Sequence, residues 1–211
     1  MYVIKNIIFD FDGVILDSVP VKTEAFKTLF KEYRKDVVDQ IIEYHIENGG
    51  KSRYAKIEYF FINILDIPVT KEKINSMALV YSELTKIELS KKKYLINETI
   101  NFIKKNHLKY NLHIASGADD NDLKYICKHL GISSLFLSID GSPKIKSKIV
   151  KSILINNNYI SNETILIGDS KNDYEAAYEN NIQFYAYNNT KLKLINNIVY
   201  IEKMDVFEKN L

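Results

Sequence analysis

Asn6-Ile-Ile-Phe-Asp-Phe-Asp-Gly-Val-Ile15 decides how this chain is read. Its Ile7, Ile8 and Phe9 form an unbroken apolar run, the pattern of a strand buried on both faces of a parallel sheet. The run ends in Asp10-Phe11-Asp12. In extended backbone, residues i and i+2 project to the same side, so the two carboxylates leave the strand together. Two like charges that close are costly unless a proton or a cation is shared between them. A hard divalent cation bound through oxygen relieves that cost, and Mg²⁺ is the usual one beside phosphate. Gly13 then permits a sharp turn of the backbone away from the pair. Ligands of open parallel sheets gather at the carboxyl ends of strands, which is where this pair falls.

Later strands end in matching chemistry. Tyr110-Asn-Leu-His-Ile-Ala-Ser-Gly117 closes in Ser116-Gly117. Glu163-Thr-Ile-Leu-Ile-Gly-Asp-Ser170 closes in Gly168-Asp169, with Asp173 one helical turn further on. Between them, Ser134-Leu-Phe-Leu-Ser-Ile139 leads into Gly141-Ser-Pro143 and a helix start carrying Lys144, Lys146 and Lys148. The order is two acids, a hydroxyl beside glycine, a lysine and two more acids. In that order the chain resembles the haloacid dehalogenase-like hydrolase superfamily from end to end. Within it, the chain is similar to helically capped phosphatases of the phosphoglycolate phosphatase and β-phosphoglucomutase types.

Between the first strand and residue 95 the periodicity is helical only. Ala25, Phe26, Leu29, Phe30 and Tyr33 share one helical face, as do Val38, Ile41, Ile42, His45 and Ile46. A third helix is predicted over 54–65, stopped by Asp66-Ile-Pro68, and a fourth over 71–89 with Thr70 as N-cap. From 96 onward helices (96–107, 120–130, 146–157, 172–180) alternate with strands (110–115, 134–139, 163–168, 182–187), and a short edge strand follows at 197–201. This alternation predicts an α/β fold with a parallel sheet and helices on both faces. The expectation is a Rossmann-like core of residues 1–16 and 96–211 with an inserted all-helical domain, 17–95. The resemblance implies the same layout, with the insertion acting as a cap.

Hydrolysis of a phosphate monoester needs positioning and charge neutralisation, and a carboxylate nucleophile can split it into two steps through an acyl phosphate. The resemblance gives that role to Asp10 and makes Asp12 the general acid and base. Dehalogenases of the superfamily lack an acid at this second position, so Asp12 points to phosphoryl chemistry. Ser116 and the backbone N–H of Gly117 would bind the phosphoryl oxygens. Lys146 lies one turn before the apolar pair Ile149-Val150, near the buried face of its helix, and is preferred over Lys144 for neutralising Asp10 and the phosphoryl group. Asp10, the carbonyl of Asp12, Asp169 and Asp173 would hold Mg²⁺. In the inserted domain, Gly49-Gly-Lys-Ser-Arg-Tyr54 resembles a cap loop that reaches the substrate, with Arg53 pairing to a carboxylate or second phosphate. Mutases of this type carry a histidine where this chain has Lys22, which weakens a mutase reading. His45, His107, His113 and His129 show no metal-ligand spacing and read as structural.

The remaining properties bound the partners. The 211 residues suffice for one good core with a smaller inserted domain. A net charge of +2 with mixed signs shows no basic stripe for nucleic acid, and no apolar run approaches the roughly 18 residues of a membrane span. The chain enters its first strand within a few residues, leaving no room for a signal peptide. Its single cysteine, Cys127, falls on the core face of a helix and fits a reducing compartment. The expectation is a cytoplasmic, Mg²⁺-dependent phosphatase, monomer or weak dimer, acting on a small sugar phosphate or phosphoglycolate-like acid. The alternatives are a phosphomutase or phosphotransferase, and a non-catalytic binding protein of the same fold.

Overall fold

A computed structural model describes residues 3–195 and 198–209. Strand β1 (Asn6–Phe9) is followed by four helices: α1 (Val19–Leu29), α2 (Lys35–Glu47), α3 (Arg53–Tyr59) and α4 (Lys71–Leu89). The rest alternates: α5 (Asn97–Asn106), β2 (Asn111–Asp119), α6 (Asp120–Leu130), β3 (Ser138–Ser142), α7 (Lys146–Asn156), β4 (Thr164–Gly168), α8 (Lys171–Glu179), β5 (Gln183–Tyr187), β6 (Val199–Ile201) and α9 (Met204–Glu208). The strands form one sheet in the order β3-β2-β1-β4-β5-β6, every pair parallel. The chain runs outward from β1 in both directions, so the switch point where ligands bind lies at the carboxyl ends of β2, β1 and β4.

Period-2 alternation divides the core. Ile7 and Phe9 join Ile114, Ile165 and Ile167 on one face, against Phe102 of α5, Leu123 of α6 and Phe207 of α9. Ile8 joins Ala115 and Leu166 on the other, against Ile149 of α7 and Ala177 of α8. A third apolar cluster lies wholly within the helical segment 25–81, built on Phe26, Phe30, Ile41, Ile57, Phe60 and Tyr81. The chain leaves and re-enters the sheet region through a paired neck, where Ile96 N donates to Ile15 O at 2.9 Å and Asp17 N to Tyr94 O at 2.8 Å. No helix among the described residues is long and apolar enough to cross a membrane.

Four elements differ from the expectation. Strand β2 runs on to Asp119, beyond the expected end at 115. The strand expected at 134–139 begins only at Ser138, because Ser133–Leu135 turn as a 3₁₀ helix and Phe136 packs edge-on against Phe9. Apolarity there marks an anchor for the strand rather than the strand. The third helix ends at Tyr59 and continues as a π-helical turn, Phe60–Ile64, whose widened pitch buries the adjacent Phe60 and Phe61 together. Helix α9 was not anticipated; its five residues place Met204 and Phe207 in the core. Of the expected edge strand, Asn197 lies outside the described residues and Val199–Ile201 pair with β5.

Candidate active site

Asp10 follows β1 directly, its N–H donating to Ile167 O at 2.9 Å, so the strand ladder fixes its backbone. Its side chain is 2% exposed. Lys146, the first residue of α7, brings Nζ to 2.8 Å from Asp10 Oδ1 and also bonds Asp173 Oδ1. Lys144 instead bonds Ser152 at 2.6 Å on the exposed side of the helix. Burial and the like charge of Asp173 push the Asp10 carboxyl up to about 7 against the pull of Lys146. Burial opposes the charge of Lys146, but Asp10 and Asp173 outweigh it and raise the ammonium above its ordinary value.

Asp12 stands apart from that cluster. The chain turns tightly after β1, with Ile15 N and Leu16 N both donating to Phe11 O at 2.9 Å. There Asp12 Oδ1 accepts from Ser18 Oγ at 2.6 Å, and Oδ2 pairs with Lys22 Nζ at 2.5 Å. Burial disfavours its charge, but Lys22 and Ser18 prevail and hold the carboxyl below its usual range. Asp12 is therefore ionised at neutral pH.

Asp169 closes the third strand end. Gly13 has φ +78°, and a Cβ there would stand 1.9 Å from Asp169 Oδ2, so the glycine makes room for this carboxylate. Asn189 Nδ2 donates to the Asp169 carbonyl at 2.6 Å and Asn188 Nδ2 to the Gly13 carbonyl at 2.9 Å, tying the two loops to the end of β5. Asp173 is fully buried; its Oδ2 accepts from Ser170 N at 3.0 Å and Ser170 Oγ at 2.6 Å, a capping box for α8. Oxygens of Asp10, Asp169 and Asp173 all lie within 4.8 Å of one another. Burial, then Asp10 and Asp173, raise Asp169 well above the usual carboxylate range. Three carboxylates against one ammonium leave excess negative charge, and an all-oxygen set with that excess fits a hard divalent cation.

Ser116, in β2 where the pairing with β3 shifts register after Ala115, is fully buried with Oγ accepting from Ala118 N at 3.1 Å. Gly117 faces the helical unit, and a Cβ there would meet the Gly50 carbonyl oxygen at 2.2 Å. The 49–54 loop thus presses on the sheet's carboxyl edge. Arg53 is 7% exposed and is held from several sides. It pairs with Asp122 of α6 at 2.7 Å, bonds Ser82 and lies 5.0 Å from the Tyr81 ring centroid. Tyr54 OH adds a bond to Asp119 Oδ2 at 2.8 Å. Arg53 therefore borders the site with its charge already matched.

Asp12 and Gly117 face Phe26, His45, Arg53, Lys56 and Tyr81 across a cavity of about 30 Å³. That holds about one water-sized group. A wider cleft of about 410 Å³ beside it reaches Asp12, Lys22 and Asp169. Sequence reasoning did not single out Lys56, and it read His45 as structural. Lys56 is 3% exposed, its Nζ 2.9 Å from His45 Nδ1. The signal was present: Lys56 shares the stripe Arg53, Ile57 and Phe60 at helical spacing, where a lysine is out of place unless used.

Comparison with known proteins gives a family and a fold. The family profile described as haloacid dehalogenase-like hydrolase matches residues 7–187. No curated protein matches the chain. Among solved structures, a haloacid dehalogenase-like family hydrolase from Streptococcus pneumoniae is 21% identical with TM-score 0.72, covering 99% of both chains. A β-phosphoglucomutase from Clostridium difficile is 18% identical with TM-score 0.78, covering 98% of this chain and 95% of its own. A predicted phosphoglycolate phosphatase from Haemophilus somnus is 16% identical with TM-score 0.76, covering 100% of both. At these identities the likeness is one of fold.

Proposed function

The chain belongs to the haloacid dehalogenase-like hydrolases, and on that footing we propose that it is a phosphatase that hydrolyses a small phosphorylated metabolite through a phosphorylated Asp10. The observation that carries this reading is the 2.8 Å contact of Lys146 with Asp10 at the end of β1. It holds a carboxylate buried, oriented and partly neutralised where a phosphoryl group can approach.

Asp10 attacks phosphorus and the ester oxygen departs with its alcohol, leaving an acyl phosphate. Asp12 takes up a proton from solvent as the substrate binds and gives it to that oxygen; the carboxylate so formed then takes a proton from the water that attacks phosphorus, releasing phosphate and restoring Asp10. Held ionised by Lys22, Asp12 is already in the form the second step requires. Ser116 and the Gly117 N–H bind phosphoryl oxygens. Asp10, Asp169 and Asp173, with the carbonyl of Asp12, would hold Mg²⁺, which when bound supplies positive charge to the phosphoryl oxygens. Residues 17–95 act as the cap, opening for exchange and closing to exclude water. Arg53, matched by Asp122, would clasp that cap onto α6.

Transfer to a second alcohol, as in a phosphomutase, needs an acyl phosphate that outlives water. Lys22 on Asp12 favours water activation instead, so hydrolysis is the reading we adopt. A binding protein has no use for Asp12 as a separate, ionised acid. The test is release of p-nitrophenol from p-nitrophenyl phosphate, followed by a panel of phosphate esters, each with Mg²⁺ and with a chelator. Metal-dependent hydrolysis is expected; no hydrolysis of any ester would contradict the proposal.

A further inference from the structure

Two glycines of the helical unit lie against the start of α8. A Cβ on Gly50 would stand 2.8 Å from both Ser170 Oγ and Asn172 Cβ, and one on Gly49 would stand 3.8 Å from Ser170 Cβ. At Gly50 only a residue without a side chain lets the loop backbone come this near. The same backbone rests against Gly117, where a Cβ would meet the Gly50 carbonyl oxygen at 2.2 Å. The loop is thus seated between Gly117 of β2 and the first turn of α8. The seat is narrow: Gly49 and Ser170 also line the cleft of about 410 Å³, while Gly50 and Asn172 line a second of about 320 Å³.

Ser170 is the side chain this seat covers. It is 6% exposed, and its Oγ donates to Asp173 Oδ2 at 2.6 Å. The same carboxylate oxygen accepts from Ser170 N at 3.0 Å, and Asp173 Oδ1 binds Lys146. Lys146 in turn stands 2.8 Å from Asp10 Oδ1. A continuous chain of contacts therefore runs from Gly50 through Ser170, Asp173 and Lys146 to the proposed nucleophile. Its movable link is the hydroxyl, which turns about its C–O bond toward the best acceptor at hand. Sheltered from water, that acceptor is the Asp173 carboxylate. With the loop lifted, water competes for both groups, and a charge-assisted hydrogen bond loses most of its strength.

We propose that Ser170 is a positioning residue, through which seating of the Gly49–Gly50 loop holds Asp173 and Lys146 in place around Asp10. The inference rests on the phosphatase reading and adds a control to it. The charged array is fully ordered only while the loop lies on the sheet edge. An ester bound without the loop seated meets a looser array, so the chemistry waits for the helical unit.

Gly117→Ala is the wedge that tests this. Its methyl meets the Gly50 carbonyl, and its nearest neighbours are Gly50 and Lys51, so it acts on the loop and not on Ser170 directly. Amide hydrogen exchange is read residue by residue by NMR on the wild-type and Gly117→Ala proteins, without substrate. The wedge should speed exchange of the Ser170 N–H about 10-fold or more, while the amides of β4 keep their rates. Should Gly117→Ala not fold, Arg53→Met, which frees the loop from Asp122, carries the same test. A Ser170 amide unmoved by the loop variant overturns the proposal. Ser170→Ala should also lower kcat for p-nitrophenyl phosphate about 10- to 100-fold with KM within a few-fold, the scale of one hydrogen bond to a charged group. An unchanged kcat overturns the proposal as well. The exchange measurement needs no hydrolysis. If no ester is hydrolysed while the wedge still frees Ser170, the phosphatase reading falls and the coupling stands; hydrolysis with an unmoved Ser170 amide does the reverse.

Discussion

Lys146 Nζ stands 2.8 Å from Asp10 Oδ1 and also bonds Asp173 Oδ1, so one buried ammonium serves two buried carboxylates. The arrangement works only as a unit. Without the ammonium, Asp10 and Asp173 repel each other in a site with little water. Lys146→Met should therefore lower kcat by roughly 10²–10³ by removing preorganised charge at the phosphoryl group. Breaking a buried pair from one side also costs about 3–5 kcal/mol of stability. Steady-state kinetics and urea melts in chelator would show both effects. A kcat within a few-fold of wild type would remove Lys146 from the machinery.

Gly13 offers a test of the loop that separates Asp10 from Asp169. Its φ of +78° is open to glycine, and an added methyl would sit 1.9 Å from Asp169 Oδ2. Left-handed backbone alone costs a non-glycine residue about 1–2 kcal/mol, and the clash must also displace the Asp169 carboxylate. Gly13→Ala should lose most of its activity and bind Mg²⁺ more weakly while keeping its circular dichroism spectrum. Unchanged metal affinity would show that Asp169 is not a ligand.

Arg53 and Asp122 join the helical unit to α6 across 2.7 Å, and this pair separates two roles for the arginine. If Arg53 is a clasp, Asp122→Asn reproduces the KM change of Arg53→Met, and a double-mutant cycle gives a coupling of about 2 kcal/mol or more. If Arg53 instead contacts the substrate, Arg53→Met raises KM and Asp122→Asn does not. The first outcome is expected, because Arg53 is already matched by Asp122.

Two buried histidines predict acid lability. His113 is held between Ser138 Oγ at 2.9 Å and Tyr159 OH at 3.0 Å, and burial keeps its pKa down at about 4. His45 lies lower still, at about 3. The unfolded chain takes up these protons near 6.5 and the folded protein only near 4 and below. The stabilisation is therefore complete above about pH 6.5 and is lost as pH falls toward 4, by about 3 kcal/mol for His113. Urea melts between pH 7.5 and 4.5 should show that slope, and His113→Gln should flatten it. An identical slope in the variant would contradict the assignment.

Strand-end chemistry was legible because it is local. Asp10, Ser116 and Asp169 each follow an apolar run, and a parallel sheet delivers such ends to one edge whatever the helices do. The helix phase set by Ile149 and Val150 singled out Lys146, and the structure brings that lysine to Asp10 while Lys144 faces solvent. What sequence reasoning missed depends on packing between elements. Lys56 and His45 meet because α3 lies against α2, and Arg53 meets Asp122 because the helical unit closes on α6; neither pairing has a sequence spacing that announces it. The legible trace was a polar residue on a buried stripe: Lys56 beside Ile57, and Asp122 beside Leu123. The offset of β3 and the π-turn at Phe60 escaped for a related reason, since apolar residues there serve anchoring rather than periodicity.

The central claim is that phosphate passes through the Asp10 side chain. An acyl phosphate is reduced by borohydride to an alcohol, which converts an aspartyl phosphate into homoserine, whereas a free carboxylate is untouched. Wild-type protein turning over p-nitrophenyl phosphate with Mg²⁺, quenched with tritiated borohydride and digested, should carry its label as homoserine at position 10. Asp10→Asn should carry none. Label at any other residue, or phosphate release with no label at all, would contradict the account.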